Sequence, residues 1–158
     1  MNTETLFSRK SDEWSTPQDL FDALHAEFNF TLDPCATAEN AKCEGYIDAE
    51  MNGLSADWTG HRAFINPPYS KLKEWVGKCA YEAHHHGVLC VLLMPSRTDT
   101  RPWHDHIWDR VNHRPYLNVQ IRFLKGRLKF GGATAGAPFP SAIVVFTPLP
   151  VPDFDAAT

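Results

Sequence analysis

The stretch that decides the fold is VLCVLLMP, residues 88–95, in which seven consecutive apolar residues precede a proline. An apolar run without polar alternation is typical of a strand that a parallel sheet covers on both faces. A shorter run, AFI at residues 63–65, ends at Asn66-Pro67-Pro68-Tyr69. Between the two runs, the apolar residues of 72–83 recur at helical spacing. The sequence therefore predicts a strand, a helix and a parallel strand.

The chain on either side continues this alternation. Thr16 is a predicted N-cap, with Pro17 at the first position of a helix. The further elements predicted are a helix at 17–28, a strand at 30–32, a helix around 101–112, and strands near 117–124 and 141–147. The series predicts an α/β fold with a mostly parallel sheet, an antiparallel strand near the C-terminus and helices on both faces.

Length and composition favour one globular domain. The chain has 158 residues, of which 43% are hydrophobic, and we predict a single domain over residues 1–148 with a loose proline-rich tail at 149–158. No apolar run is long enough for a membrane helix, and the first residues do not resemble a signal peptide, so we expect a cytoplasmic protein with no membrane partner. Four cysteines without a C-x-x-C pair, and three adjacent histidines without spaced partners, predict reduced thiols and no metal site.

The net charge of −4 is distributed unevenly along the chain. Residues 1–60 carry a net −9, whereas residues 61–130 carry +7 and seven of the eight histidines. A basic segment of this kind fits either a polyanionic partner or an ordinary solvated surface, and charge alone does not separate the two.

Three candidate site residues directly follow predicted strands. In α/β sheets ligands bind beyond the carboxyl ends of the strands, so Asp33, Asn66 and Pro95 are expected at one rim. The Asn66 to Tyr69 turn aligns two acceptors, the Asn66 side-chain oxygen and the Pro67 carbonyl, with an aromatic ring. Two acceptors that hold both N–H bonds of an aromatic amine would localise its lone pair and stabilise the developing positive charge. A stiff proline turn is the alternative interpretation.

Asn66-Pro67-Pro68-Tyr69 after a strand resembles motif IV of the S-adenosylmethionine-dependent amino-methyltransferases. Together with Trp14 to Pro17, Leu32 to Ala36, Asn40 to Cys43, Pro95 to Thr100 and Gly126 to Phe130, it resembles the phage-type, Dam-like DNA N6-adenine methyltransferases over about residues 13 to 147. The resemblance implies a Rossmann-like class I methyltransferase fold, S-adenosylmethionine as cofactor and double-stranded DNA as partner. It also implies a phage or prophage enzyme acting in a bacterial host, as in restriction–modification.

The resemblance assigns a role to each part of the site. Asn66, Pro67, Pro68 and Tyr69 would be catalytic. The residues expected to bind the cofactor are Trp14, Thr16, Pro17, Asp33, Pro34, Cys35 and Asp57. Asp57 is chosen over Asp48 and Glu50 as the ribose ligand because Trp58 beside it could provide a platform for adenine.

Contacts to DNA are expected from an aromatic ring and a basic set. Phe130 resembles the second aromatic that contacts the target base, and core packing is an equal alternative. The cations expected to face DNA are Arg97, Arg101, Arg122, Lys125, Arg127 and Lys129. Trp75 is expected only to pack in the core.

Two other functions fit the same residues. The motif also serves RNA and protein-glutamine methyltransferases, and a non-catalytic DNA-binding relative would retain the fold. Nothing in the sequence chooses between a monomer and a weak dimer, and the recognition sequence stays open.

Overall fold

The computed structural model describes residues 14–148, and its centre is a six-stranded sheet. The strands are β1 (Leu32–Asp33), β2 (Gly45–Tyr46), β3 (Arg62–Ile65), β4 (Leu89–Pro95), β7 (Val119–Phe123) and β8 (Ser141–Phe146). Their order across the sheet is β2-β1-β3-β4-β8-β7. β8 is antiparallel to both of its neighbours, and the other pairs are parallel. The predicted mostly parallel sheet with an antiparallel strand is confirmed.

Helices cover both faces of this sheet. Helix α1 (Gln18–Phe28) packs on one face, and α2 (Leu72–His86) and α3 (Arg101–His106) pack on the other. Alternate residues of β4 enter two separate cores: Leu92 faces α2 and Leu93 faces the side of α1. Burial on both faces explains why residues 88–95 lack the alternation of a strand with one wet face.

The helix predicted around 101–112 is wrong beyond His106. A small antiparallel hairpin follows instead, made of β5 (Trp108–Asp109) and β6 (Arg114–Pro115). The Asp109 carboxylate accepts bonds from the backbone N–H groups of Val111 and Asn112, which stabilises a turn in place of a further helical turn. Val111, which lies within the predicted helix, is 85% exposed.

The parallel strands place the candidate residues at one edge. Asp33 ends β1, Asn66 follows β3 and Ser96 follows β4. Because these strands are parallel neighbours, their carboxyl ends meet at the same rim. The common rim predicted for Asp33, Asn66 and Pro95 is confirmed.

Two expectations concern the ends of the chain and membranes. The proline-rich tail at 149–158 and residues 1–13 lie outside the described residues. Within residues 14–148, no helix has both the length and the apolar character that a membrane span requires.

Candidate active site

A cavity of about 600 Å³ opens at the carboxyl ends of β1 and β3. Five of the seven residues expected to bind the cofactor contribute to its wall: Trp14, Thr16, Asp33, Pro34 and Cys35. Small-molecule sites in proteins have volumes of roughly 300 to 1,000 Å³. The cavity therefore has the size of a site for a cofactor.

Asp33 places a buried carboxylate in the wall of this cavity. The residue is 5% exposed. Its two oxygens accept bonds from the backbone N–H groups of Cys35 (3.4 Å) and Lys42 (3.1 Å). Burial raises the pKa of Asp33, and these two N–H groups oppose the rise. An ionised carboxylate has about four acceptor positions, so Asp33 retains capacity for a donor in the cavity.

Gly53 and Trp75 also form the wall, and sequence reasoning missed both. A Cβ atom on Gly53 would lie 2.0 Å from the Pro34 carbonyl oxygen and 2.8 Å from the Trp75 ring, so only glycine fits there. Trp75 packs on Trp58 as expected from its helical spacing. Its buried indole N–H, however, has no hydrogen-bond partner among residues 14–148. No local pattern reveals either role, because both depend on the approach of distant segments.

Asp57 lies outside the cavity, which corrects its assignment as the ribose ligand. After β2 the chain returns to the opposite edge of the sheet to begin β3, and there the Asp57 carboxylate accepts bonds from Thr59 and lies 3.4 Å from His86. Trp58 is fully buried and cannot provide the expected platform for adenine. Asp48, one of the alternatives, lines the cavity.

Thr16 and Pro17 also differ from their predicted roles. Helix α1 begins at Gln18, Pro17 occupies the N-cap position, and no side chain caps this end. The Thr16 hydroxyl accepts a bond from Asn66 Nδ2 at 2.9 Å instead of capping the helix. Pro17 lies in a separate shallow depression with Arg127 and Lys129, and not in the large cavity.

Asn66 presents an unused acceptor beside the cavity. Its side-chain nitrogen donates to Thr16 Oγ1 and to the backbone oxygen of Trp14. Its side-chain oxygen, Oδ1, is buried and has no hydrogen-bond donor among the residues that the structure describes. Leaving such an atom unpaired costs about 1–3 kcal/mol. Pro67, next in the chain, is buried, and Pro68 lines the cavity beside Asn66.

Tyr69 begins a single 3₁₀ turn, Tyr69–Lys71, that leads into α2. Burial raises the pKa of Tyr69, an effect that Arg97 partly opposes. The hydroxyl is buried and unpaired within the described part of the chain. Tyr69 is therefore a neutral ring in this site, and not a base.

The ring that meets Tyr69 is Phe139 and not the expected Phe130. The Tyr69 and Phe139 centroids are 5.3 Å apart, edge to face. Phe130 is 4% exposed and packs against Trp14 and Phe139. The structure thus favours the equal alternative for Phe130, which is core packing. Phe139 lies just before β8, where an apolar residue is also expected for core packing. The sequence therefore did not indicate that Phe139 contacts Tyr69.

Five of the six predicted cations are exposed in loops or at a helix start on the rim: Arg97, Arg101, Lys125, Arg127 and Lys129. Three of these have weak partners. Arg101 lies 3.8 Å from Asp105, Arg127 lies 3.5 Å from a backbone oxygen, and the Arg97 guanidinium lies 5.5 Å from the centre of the Phe139 ring. Arg122 departs from the set. It lies within β7 and makes two 2.6 Å bonds to the Glu27 carboxylate.

The arrangement suits a reaction at a nitrogen that carries protons. A buried carboxylate, a cavity of cofactor size and an unpaired amide oxygen lie along one rim, next to a neutral aromatic ring. Such a set can bind a cationic group at one end and accept an N–H bond at the other.

Comparison with known proteins gives one consistent family. Residues 3–154 match the family model described as DNA N-6-adenine-methyltransferase (Dam). The chain is 32% identical over 146 residues to the DNA N-6-adenine-methyltransferase of Haemophilus phage HP1 (strain HP1c1), covering 89% of this chain and 83% of that protein.

Two shorter matches point the same way. The chain is 40% identical over 65 residues to the putative methyltransferase YfdM of Escherichia coli (strain K12), covering 37% of this chain and 71% of that protein. It is 32% identical over 84 residues to the DNA N-6-adenine-methyltransferase of Escherichia phage T1, covering 52% of this chain and 35% of that protein.

Proposed function

The chain belongs to the DNA N-6-adenine-methyltransferase (Dam) family, and we propose that it transfers a methyl group from S-adenosylmethionine to N6 of an adenine in double-stranded DNA. The observation that carries this proposal is the buried, unpaired Oδ1 of Asn66 at the rim of the cavity. A buried acceptor without a protein donor is available to a donor on a bound ligand or to water.

Asn66 and Pro67 would act on the amine of the target base. The lone pair of that nitrogen is delocalised into the ring, which makes it a poor nucleophile. Asn66 Oδ1 and the Pro67 carbonyl would accept its two N–H bonds, draw the nitrogen toward tetrahedral geometry and stabilise the positive charge that forms there. Pro68 stiffens the turn, so these acceptors are held in place before the base arrives.

The cavity would hold S-adenosylmethionine. Asp33 would bind the ammonium group, and the Thr16 hydroxyl, which accepts from Asn66, retains its own proton for the carboxylate group. Trp14, Pro34 and Cys35 would enclose the cofactor, and we propose Asp48 in place of Asp57 for its ribose. The cofactor supplies a methyl group activated by a sulfonium.

The target adenine must leave the base stack, because the duplex encloses its amine away from a pocket of this depth. Tyr69 would stack on the extruded ring. Phe139, whose ring meets Tyr69 edge to face, would bound the same space, with Phe130 supporting it from behind.

The exposed cations of the rim would hold the DNA backbone. Arg97 and Arg101 follow β4, and Lys125, Arg127 and Lys129 follow β7. β4 and β7 run in the same direction, so both groups lie on the edge that carries the cavity. Contacts to phosphate fix position and carry no sequence information by themselves.

The experiment that tests the proposal measures where the methyl group goes. The protein is incubated with methyl-labelled S-adenosylmethionine and, separately, unmethylated genomic DNA, RNA or total protein, and modified nucleosides are identified by mass spectrometry. We expect N6-methyl-2′-deoxyadenosine from DNA. Label confined to RNA or to glutamine would contradict the proposal, as would DNA binding without any transfer.

A further inference from the structure

Thr16 and the backbone of Trp14 hold the Asn66 side-chain amide in one orientation. Asn66 Nδ2 donates to both, at 2.9 Å in the case of Thr16 Oγ1. An amide nitrogen has two protons, and these two bonds use both. The carbonyl of Trp14 has no proton to give, so an amide turned by 180° would place its oxygen against that acceptor.

We propose that Thr16 is a positioning residue for methyl transfer: its hydroxyl, together with the Trp14 carbonyl, holds the Asn66 amide so that Oδ1, and not Nδ2, meets the target amine. The inference rests on the proposed function of Asn66. It gives Thr16 a role in the chemical step that is separate from any contact with the cofactor.

The orientation of the amide decides whether Asn66 helps or opposes the reaction. With Oδ1 toward the amine, an acceptor meets an N–H bond. With Nδ2 in that place, two donors would face each other, and the positive charge that develops on the amine would meet a positive dipole. The Trp14 carbonyl, which can only accept, therefore selects the reactive orientation, and the Thr16 hydroxyl holds the amide beside it.

The segment that carries Thr16 is itself anchored. Thr16 is 6% exposed, and the oxygen of Ser15 accepts a bond from the backbone N–H of Gly131 at 3.0 Å. Helix α1 begins two residues after Thr16, which fixes the other side. The hydroxyl thus has a defined position before any ligand binds.

Two substitutions separate this role from cofactor binding. Thr16→Val retains the shape of the side chain and removes the acceptor, whereas Thr16→Ser retains the hydroxyl. Thr31→Val is the matched control, because Thr31 Oγ1 also accepts a backbone bond, from Arg62, but at the opposite edge of the sheet.

The measurement is the single-turnover rate of methyl transfer to DNA at saturating S-adenosylmethionine. We expect Thr16→Val to lower this rate about 10- to 100-fold, as loss of one partner of a buried hydrogen bond implies. Thr16→Ser should restore it to within about threefold, and Thr31→Val should leave it unchanged. An unchanged rate in Thr16→Val would overturn the inference. So would a loss that disappears as the cofactor concentration is raised, since Thr16 would then act only on the cofactor.

A second measurement does not depend on activity. In NMR spectra of the ligand-free protein, the side-chain NH₂ protons of Asn66, assigned by their loss in Asn66→Ala, should exchange with water much more slowly than those of the exposed Asn52. Exchange as fast as that of Asn52 would overturn the inference. Exchange should be faster in Thr16→Val than in wild type, and that comparison tests the role of Thr16 even if the wild-type protein transfers no methyl group to DNA, which would refute the proposed function alone.

Discussion

Asp33 is a carboxylate that folding removes from water and sets in the wall of the cavity, with two backbone N–H groups as its partners. Its burial raises the pKa of the carboxyl above the ordinary 3.8. Folding thus favours the protonated form, so the free-energy cost of burying this group is absent below its ordinary pKa, grows as pH rises from there, and is complete above the raised pKa. Binding of an ammonium group needs the opposite, ionised form.

The first prediction is that cofactor affinity falls on acidification because of Asp33. The affinity for S-adenosylhomocysteine, measured by calorimetry from pH 7.5 downwards, should begin to decline at a higher pH than an ordinary aspartate would produce. Asp33→Asn should weaken binding at pH 7.5 by roughly 10- to 100-fold, the value of a hydrogen bond to a charged group. It should also abolish the decline. Tight, equally pH-dependent binding by Asp33→Asn would show that another group takes the ammonium.

Gly53 allows the turn after β2 to pack against the end of β1 and to form part of the cavity wall. The turn that carries it approaches the end of β1 so closely that a Cβ would lie 2.0 Å from the Pro34 oxygen. The turn after β1 has no glycine at residues 33–37. The close approach comes instead from the far side of the cavity.

The second prediction concerns this contact. Gly53→Ala should destabilise the protein by about 1–3 kcal/mol, because the backbone must shift, and should weaken cofactor binding through Pro34 and Trp75. Gly77→Ala in α2 is the matched control. A Cβ atom on Gly77 would meet only the side chain of His106 in α3, at 3.4 Å. That change should stabilise by up to about 1 kcal/mol. Equal thermal midpoints for the two variants would contradict the account.

The sequence predicted the longer elements well and the short ones poorly, for physical reasons. β4 and α2 were found because burial on both faces, and apolar residues at helical spacing, leave a repeated signal over many residues. β2 has two residues and carries no such signal. The region after His106 reads as a continued helix, but the side chain of Asp109 satisfies local N–H groups in a turn. A local bond of this kind outweighs a weak periodic pattern.

At the scale of the whole molecule, the positive charges are concentrated in one segment of the chain, and several of them lie together at one edge of the sheet. The basic segment 61–130 supplies the exposed cations on the rim of the sheet. Arg122 belongs to the same segment but faces Glu27, from the acidic part of the chain. Sequence counts alone could not separate Arg122 from the others, because its partner is 95 residues away.

The third prediction uses that difference. Lys129→Ala should weaken DNA binding at all sequences and reduce the slope of log affinity against log salt by about one unit. Arg122→Ala, the matched control, should leave the slope almost unchanged, because Glu27 already neutralises that guanidinium. The slopes are measured by fluorescence anisotropy with a labelled duplex. An equal reduction in both variants would place Arg122 on DNA after all.

In the candidate site, too, residues within a local sequence motif could be predicted, and residues placed by tertiary contacts could not. Asn66, Tyr69 and Asp33 could be proposed from sequence because each follows a strand within a recognisable motif. Asp57 was a wrong choice because the path of residues 47–61 depends on tertiary packing against α2. Phe139 and Trp75 were missed because a buried aromatic looks the same whether it lies in a core or beside a site.

The central claim is that the Asn66 oxygen acts on the target amine during methyl transfer. The most direct test compares wild type, Asn66→Ala and the exposed control Asn112→Ala in single-turnover transfer to unmethylated DNA, alongside calorimetric affinity for S-adenosylhomocysteine. The account predicts that Asn66→Ala lowers the rate at least about 100-fold, with cofactor affinity nearly intact and Asn112→Ala unaffected. Near-normal turnover in Asn66→Ala would contradict it.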